Sequence, residues 1–219
     1  MMLTLAAMIG GFAAQAAPAS PPLAEVLPRA AAFCGSMTEA EKITTPNGAE
    51  LYAPDNALPV MSPGVASRNR SIKPLSTAPA LVQRFIATGQ ASRPYRVDSA
   101  FRFPAASGEA WVILYSGAAC DLFVTGSAQP LDPLVQALAT GLEGQGWRTL
   151  RYTAATTAMP LSQRVMLQTA PKPGAAAHGT RAMLQWLAPA VAQSDGVQLE
   201  INYMSGDIAA QQPAPAQKP

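Results

Sequence analysis

One histidine, His178, and two cysteines, Cys34 and Cys120, are all that 219 residues offer to most reactive-site chemistry. Zinc takes three or four thiolate, imidazole or carboxylate ligands, and one histidine with two distant cysteines does not make the usual set, so no metal is expected. The close C-x-x-C spacing of a dithiol redox centre is absent as well. Charge is scarce: charged residues make up 13 % of the chain, against roughly 25 % in an ordinary soluble protein. With 15 basic and 13 acidic residues the formal charge is +2, too weak a field to hold a polyanion, and nucleic acid is not an expected partner. The densest basic cluster, SRNRSIK from Ser67 to Lys73, sits among prolines and serines and reads as a solvated loop.

Catalytic signatures are missing too. No G-x-S-x-G pentapeptide offers a serine nucleophile on a strained turn. No P-loop is present, and GLEGQGW follows a helical pattern, so its glycines stop a helix and do not cradle a phosphate; no cofactor is expected. His178 lies in KPGAAAHGT, between two strand signals, and is the obvious general base near neutral pH. The same residues also describe an ordinary hairpin loop. Acidic residues are scattered, and Asp121 at a strand start reads as a turn or edge residue. Trp111, Trp147 and Trp186 fall in or at the start of strands, where core packing accounts for them.

What is there begins with MMLTLAAMIGGFAAQA. An apolar run reaches Ala14-Gln15-Ala16, small residues at the spacing a signal peptidase accepts, which predicts a signal peptide over 1–16. The run is shorter than the about 20 apolar residues a membrane span needs. Export sets the meaning of the cysteines, because two thiols in an oxidising compartment pair. A structural disulfide between Cys34 and Cys120 is the expectation, and buried free thiols in a cytoplasmic protein are the alternative. Closing so long a loop is worth roughly 4 to 5 kcal/mol in the chain-entropy model.

The pattern along the chain divides it into four parts. Residues 17–76 hold a helix over SPPLAEVLPRAAAFCGS, interrupted by Pro28 and closed by Gly35, then a long irregular stretch from Met37 to Ser76. Residues 77–205 form the core domain. In it a helix runs from Thr77 to Gly89 with Leu81, Val82, Phe85 and Ile86 at helical spacing. Strands follow over Tyr95 to Phe103, Ala110 to Ser116 and Cys120 to Thr125. A second helix starts at Asp132-Pro133, carries Leu134, Val135, Leu138 and Leu142, and ends at Gly144. Four more strands are expected near Trp147 to Ala154, Gln163 to Thr169, Thr180 to Leu187 and Val197 to Met204. Residues 206–219, rich in proline and alanine, have nothing to bury. At an offset of 52 residues Ala87-Thr88-Gly89 meets Ala139-Thr140-Gly141 and Tyr95-Arg96 meets Trp147-Arg148, which suggests a duplicated α-β-β-β unit.

Alternation within strands assigns faces. Tyr95, Val97, Phe101 and Phe103 share one side, with Arg96, Asp98 and Arg102 opposite; Val197, Leu199, Ile201 and Tyr203 oppose Gln198, Glu200 and Asn202. The expected fold is an α+β two-layer sandwich, a mostly antiparallel sheet with helices on one face and a polar face outward. Arg96, Arg102, Arg164 and Gln168, with Gln198 and Asn202, are the candidate recognition surface. The expected function is an exported, periplasmic or secreted, non-catalytic domain binding a protein or small envelope component through that face or the long loop. The alternative is an extracytoplasmic hydrolase or transferase using His178 or acids such as Asp98 and Glu200.

Overall fold

The computed structural model describes residues 19–37, 45–56, 72–92, 96–116, 119–158, 160–170, 178–187 and 196–207. The expected signal peptide, most of the basic cluster and the tail after 207 lie outside them. In chain order the elements are α1 (Leu23–Met37), β1 (Glu50–Ala53), β2 (Lys73–Pro74), a short 3-10 turn, α2 (Ala80–Ser92), β3 (Val97–Pro104), β4 (Glu109–Tyr115), β5 (Ala119–Thr125), α3 (Leu131–Gly144), β6 (Arg148–Thr153), β7 (Leu161–Ala170), β8 (His178–Leu187) and β9 (Val197–Asp207). Among the described residues nine strands join one sheet in the order β2-β1-β3-β4-β5-β9-β8-β7-β6. Every pairing is antiparallel except β1 with β2. The molecule is therefore α+β, a mostly antiparallel sheet with three helices laid against it.

The helices divide between the faces. On one face, here the inner face, α1 and α3 bury Leu23, Val26, Leu27, Val135, Leu138 and Leu142 against Phe101, Val112, Leu122, Leu184, Trp186 and Ile201. On the other, the outer face, α2 packs Val82 and Ile86 against Trp111, Ile113 and Phe123. β4 is consequently covered on both sides, and its run AWVILY is apolar without alternation because neither set of side chains meets water. Cys34 of α1 is bonded to Cys120 of β5, Cα atoms 5.7 Å apart, both fully buried. The bond ties the N-terminal helix to the middle of the sheet. On α3, Asp132 sits in the first turn and accepts a hydrogen bond from the indole N–H of Trp186. Its carboxylate thereby satisfies a buried donor while complementing the positive end of the helix.

Several local expectations shift. Gly35 does not close α1 but lies inside it, where a Cβ would stand 3.6 Å from the Tyr203 ring; the glycine lets helix and strand approach closely. Pro28 is likewise held within α1, its lost hydrogen bond offset by the buried face around it. Gly89 lies within α2 for a similar reason, the Tyr115 hydroxyl being 2.8 Å from the Cβ position. The stretch from Met37 to Ser76, irregular by sequence, contributes β1 and β2, which extend the sheet beyond β3. Both strands are too short to show a period.

Strict alternation along β3 also fails. Val97 pairs with Tyr115 but Ser99 with Leu114, so Asp98 is an extra residue in a bulge. A bulge reverses the sides of everything beyond it. Val97 therefore joins the α2 side, while Phe101 and Phe103 join the α1 side. The same happens in β9, where a shift opposite Val124 and Thr125 sends Val197 to the α2 side, away from Leu199, Ile201 and Tyr203.

The helix-and-meander order expected of a duplicated unit recurs in the topology. α2-β3-β4-β5 and α3-β6-β7-β8 are both a helix followed by a three-stranded meander. A shift of 52 residues carries Ala80–Ser92 onto 132–144, within α3, and carries the β3 bulge at Asp98 onto Leu150, where β6 has its own register shift. Outward from β9 the strands run β5-β4-β3 on one side and β8-β7-β6 on the other, they share directions because β5 and β8 both pair antiparallel with β9, and the two helices lie on opposite faces. A half-turn about an axis along β9 produces all three relations. Strand pairing then sets Phe123, under α2, in the place of Trp186, under α3.

Candidate functional site: an uncovered half of the sheet

The half-turn divides the sheet into four half-faces, and three hold a helix: α1 and α2 on either side of β3–β5, and α3 on the inner side of β6–β8. Over the outer side of β6–β8 no helix lies among the described residues. Register places Arg148 and Arg151 of β6, Gln163, Val165 and Leu167 of β7, and Arg181, Met183 and Gln185 of β8 on that surface. Arg148 and Arg151 are exposed, Arg181, Met183 and Gln185 half-buried. Val165 and Leu167 lie beneath them, already buried at 7 % and 1 % exposure, with Arg148, Arg151, Arg181 and Met183 as their cross-strand neighbours. The Gln163 amide lies 3.5 Å from the Met183 sulfur.

Where this surface meets the half covered by α2, a polar cluster is buried in the sheet. The Asn202 amide donates to Asp121 Oδ1 at 2.7 Å and to Glu200 Oε1 at 2.9 Å. Asp121 is thus not a turn or edge residue: it sits in β5, 1 % exposed, opposite Asn202. A single buried acid in an otherwise apolar strand carries no sequence signal that separates it from a strand-end residue, and only the pairing of β5 with β9 supplies its partner.

The residues singled out from the sequence are not gathered into one surface. Arg102 lies on the outer face over β3, ion-paired with Glu109 at 2.5 Å and Glu50 at 3.3 Å. Glu50 also accepts from Lys73 at 2.9 Å. Burial pushes the Glu50 carboxyl up, but the hydrogen bonds and charges of Lys73 and Arg102 outweigh it and hold the group below its ordinary range. Arg164 belongs to the inner face, where it donates to Gln136 of α3 at 2.7 Å and stacks on Tyr152. Gln168 reaches the Gln145 carbonyl at the end of α3. Gln198 is spent on Ser127, accepting from its N–H and donating to its carbonyl. Asn202 alone of the six borders the uncovered surface. The bulges in β3 and β9 account for part of the scatter, because one extra residue moves every later side chain of its strand across the sheet, while cross-strand register sets Arg164 and Gln168 on the inner side.

Arg96 lines a different feature, an open cleft of about 410 Å³ between α2 and the strand edge, with Asp55, Ser76, Gln83, Ile86 and Gln90. Neither Asp98 nor Glu200 is among its described lining residues, and the side chain of His178 lies outside the described ones. Asp98 and Glu200 are three strand steps apart, about 14 Å at the usual spacing. Burial raises the Asp98 carboxyl above its ordinary range, with Arg96 opposing. His178 opens β8, its backbone paired with Ala170 and Asp207. No group of three or more His, Cys, Asp and Glu side chains suited to a metal occurs among the described residues. No helix among them is long and apolar enough to cross a membrane. No protein-family model matches the chain, and neither curated proteins nor solved structures give a match.

Proposed function

We propose that the protein is an exported, non-catalytic interaction domain of the cell envelope, and that the outer side of β6–β8 is its recognition surface. The observation that carries this reading is the half of the sheet over which no helix lies among the described residues, with Arg148 and Arg151 exposed and Arg181 and Met183 half-buried on it. Solvated sheet faces are common, but this one leaves methionine and arginine, both suited to interfaces, on a surface whose three counterparts are covered. The buried Cys34–Cys120 bond supports export, since such bonds persist in oxidising compartments. So does the apolar leader ending in Ala14-Gln15-Ala16.

The test is the intact mass of the protein made by its native host, alkylated with and without prior reduction. A chain starting at Ala17 that takes up two alkyl groups only after reduction is the expected result. A chain retaining the leader and alkylating without reduction overturns export.

A further inference from the structure

Beyond the sheet surface, we propose that the cleft beside α2 binds a dipeptide with free termini, its ammonium group at Asp55 and its carboxylate at Arg96. The cleft is built from four segments: the chain after β1, the turn after β2, one flank of α2 and the start of β3. The register that sets Tyr52 opposite Ala100 brings Asp55 across from the start of β3, where Arg96 precedes Val97. At about 410 Å³ the cleft has the size of a small-ligand site. Hydrogen bonds brace it. Asp55 Oδ1 accepts from the Ser76 N–H at 3.2 Å, and the Gln83 amide of α2 donates to the carbonyls of Ser76 and Ala78, both at 2.8 Å. Three of the four segments are thereby joined before any ligand arrives, which lowers the ordering cost of binding.

The chemistry of the occupant follows from the polar groups of the lining. The hydroxyl and N–H of Ser76 hold the Asp55 carboxyl below its ordinary range, so it is an anion at neutral pH. Arg96 is a cation, and among the described residues no carboxylate lies within ion-pair distance of its guanidinium; Asp98 feels its field without contact. Asp55 and Arg96 are both exposed and do not pair with each other. A simple anion would meet Asp55 and a simple cation Arg96, whereas a molecule carrying both charges satisfies both. The exposed amides of Asn56, Gln83 and Gln90 line the same cleft and match the donor and acceptor of a peptide group. With its donors spent on Ser76 and Ala78, Gln83 offers Oε1 to a peptide N–H. A dipeptide is then held by charge-assisted hydrogen bonds at its ends and amide bonds between them, whatever its side chains.

The experiment is a nuclear magnetic resonance titration of the isotope-labelled protein, disulfide intact, with alanyl-alanine. Shifts are expected at Gln83, Gln90 and Val97, with half-saturation below about 10 mM. N-acetyl-alanyl-alanine and alanyl-alanine amide are each expected to bind at least about tenfold more weakly, since each lacks one of the two charges. Arg96→Gln is expected to abolish the preference for the free dipeptide over its amide, and Asp55→Asn the preference over the acetyl form. Should Asp55→Asn unfold, because Asp55 also holds Ser76, Arg96→Gln carries the test alone. Absence of binding at that concentration overturns the proposal, as do blocked forms that bind as well as the free one, shifts confined to other residues, or preferences that survive the substitutions. None of these outcomes bears on the β6–β8 surface.

Discussion

Two residues show how single side chains set this fold. Gly108, in the turn between β3 and β4, has φ +82°, and a Cβ there would lie 2.6 Å from the Thr125 carbonyl oxygen and 2.8 Å from the Ser127 nitrogen. Backbone cannot yield as a side chain can. Gly108→Ala is expected to cost about 2 kcal/mol or more, read from the urea midpoint, because left-handed backbone strain and a backbone clash add. Tyr203 works the other way. Its hydroxyl is buried among the described residues without a hydrogen-bond partner, and burial raises its ionisation above the ordinary range. Tyr203→Phe removes an unsatisfied polar group at constant shape, and a stability unchanged or higher by about 1 kcal/mol is expected in the same measurement.

At the scale of elements, two ties hold peripheral segments to the sheet. The Cys34–Cys120 bond spans 86 residues and fixes α1. Cys34→Ser/Cys120→Ser is expected to lose roughly 4 kcal/mol in urea unfolding under oxidising conditions and nothing further on adding reductant. The Glu50 network fixes β1 to β2 and β3. A carboxyl whose folded value is lowered stabilises the fold above its unfolded value of 4.5, and that contribution is lost as pH falls through the lower folded value. Wild type should therefore lose more stability than Glu50→Gln between pH about 5 and 3, by less than about 1 kcal/mol because the pair is partly exposed. Urea midpoints at each pH give the comparison.

For the whole molecule, β9 is the element both repeats share, pairing with β5 on one side and β8 on the other. Neither meander closes its inner edge without it. Far-ultraviolet and near-ultraviolet circular dichroism are expected to report one coincident thermal transition. A chain truncated after Leu187, which exposes β5 and β8 as unpaired edges, is expected to show no cooperative transition and to aggregate. Two separable transitions in the full chain would mean that the repeats fold independently.

The strands and the three helices of the core were legible in the sequence because their signals are local: helical spacing in α2 and α3, apolar runs in β4 and β5, a proline and an acid at the start of α3. The cysteine pairing was legible because two cysteines in an oxidising setting leave one choice. The weak repeat at 52 residues was legible as well, and it anticipated a shared topology. Side assignment was not. Bulges at Asp98 and in β9 reverse the pleat, and a bulge is a relation between two strands that neither strand's own sequence announces. The bulge in β3 parts Arg96 from Arg102 and the one in β9 parts Val197 from Leu199, while the pairing of β7 across the sheet sets Arg164 and Gln168 on the side opposite Arg102 and brings Arg148, Arg151, Arg181 and Met183, unremarked in the sequence, onto one surface. Local physics in the chain determined the elements and the staple; long-range strand pairing decided which side chains share a face of the sheet.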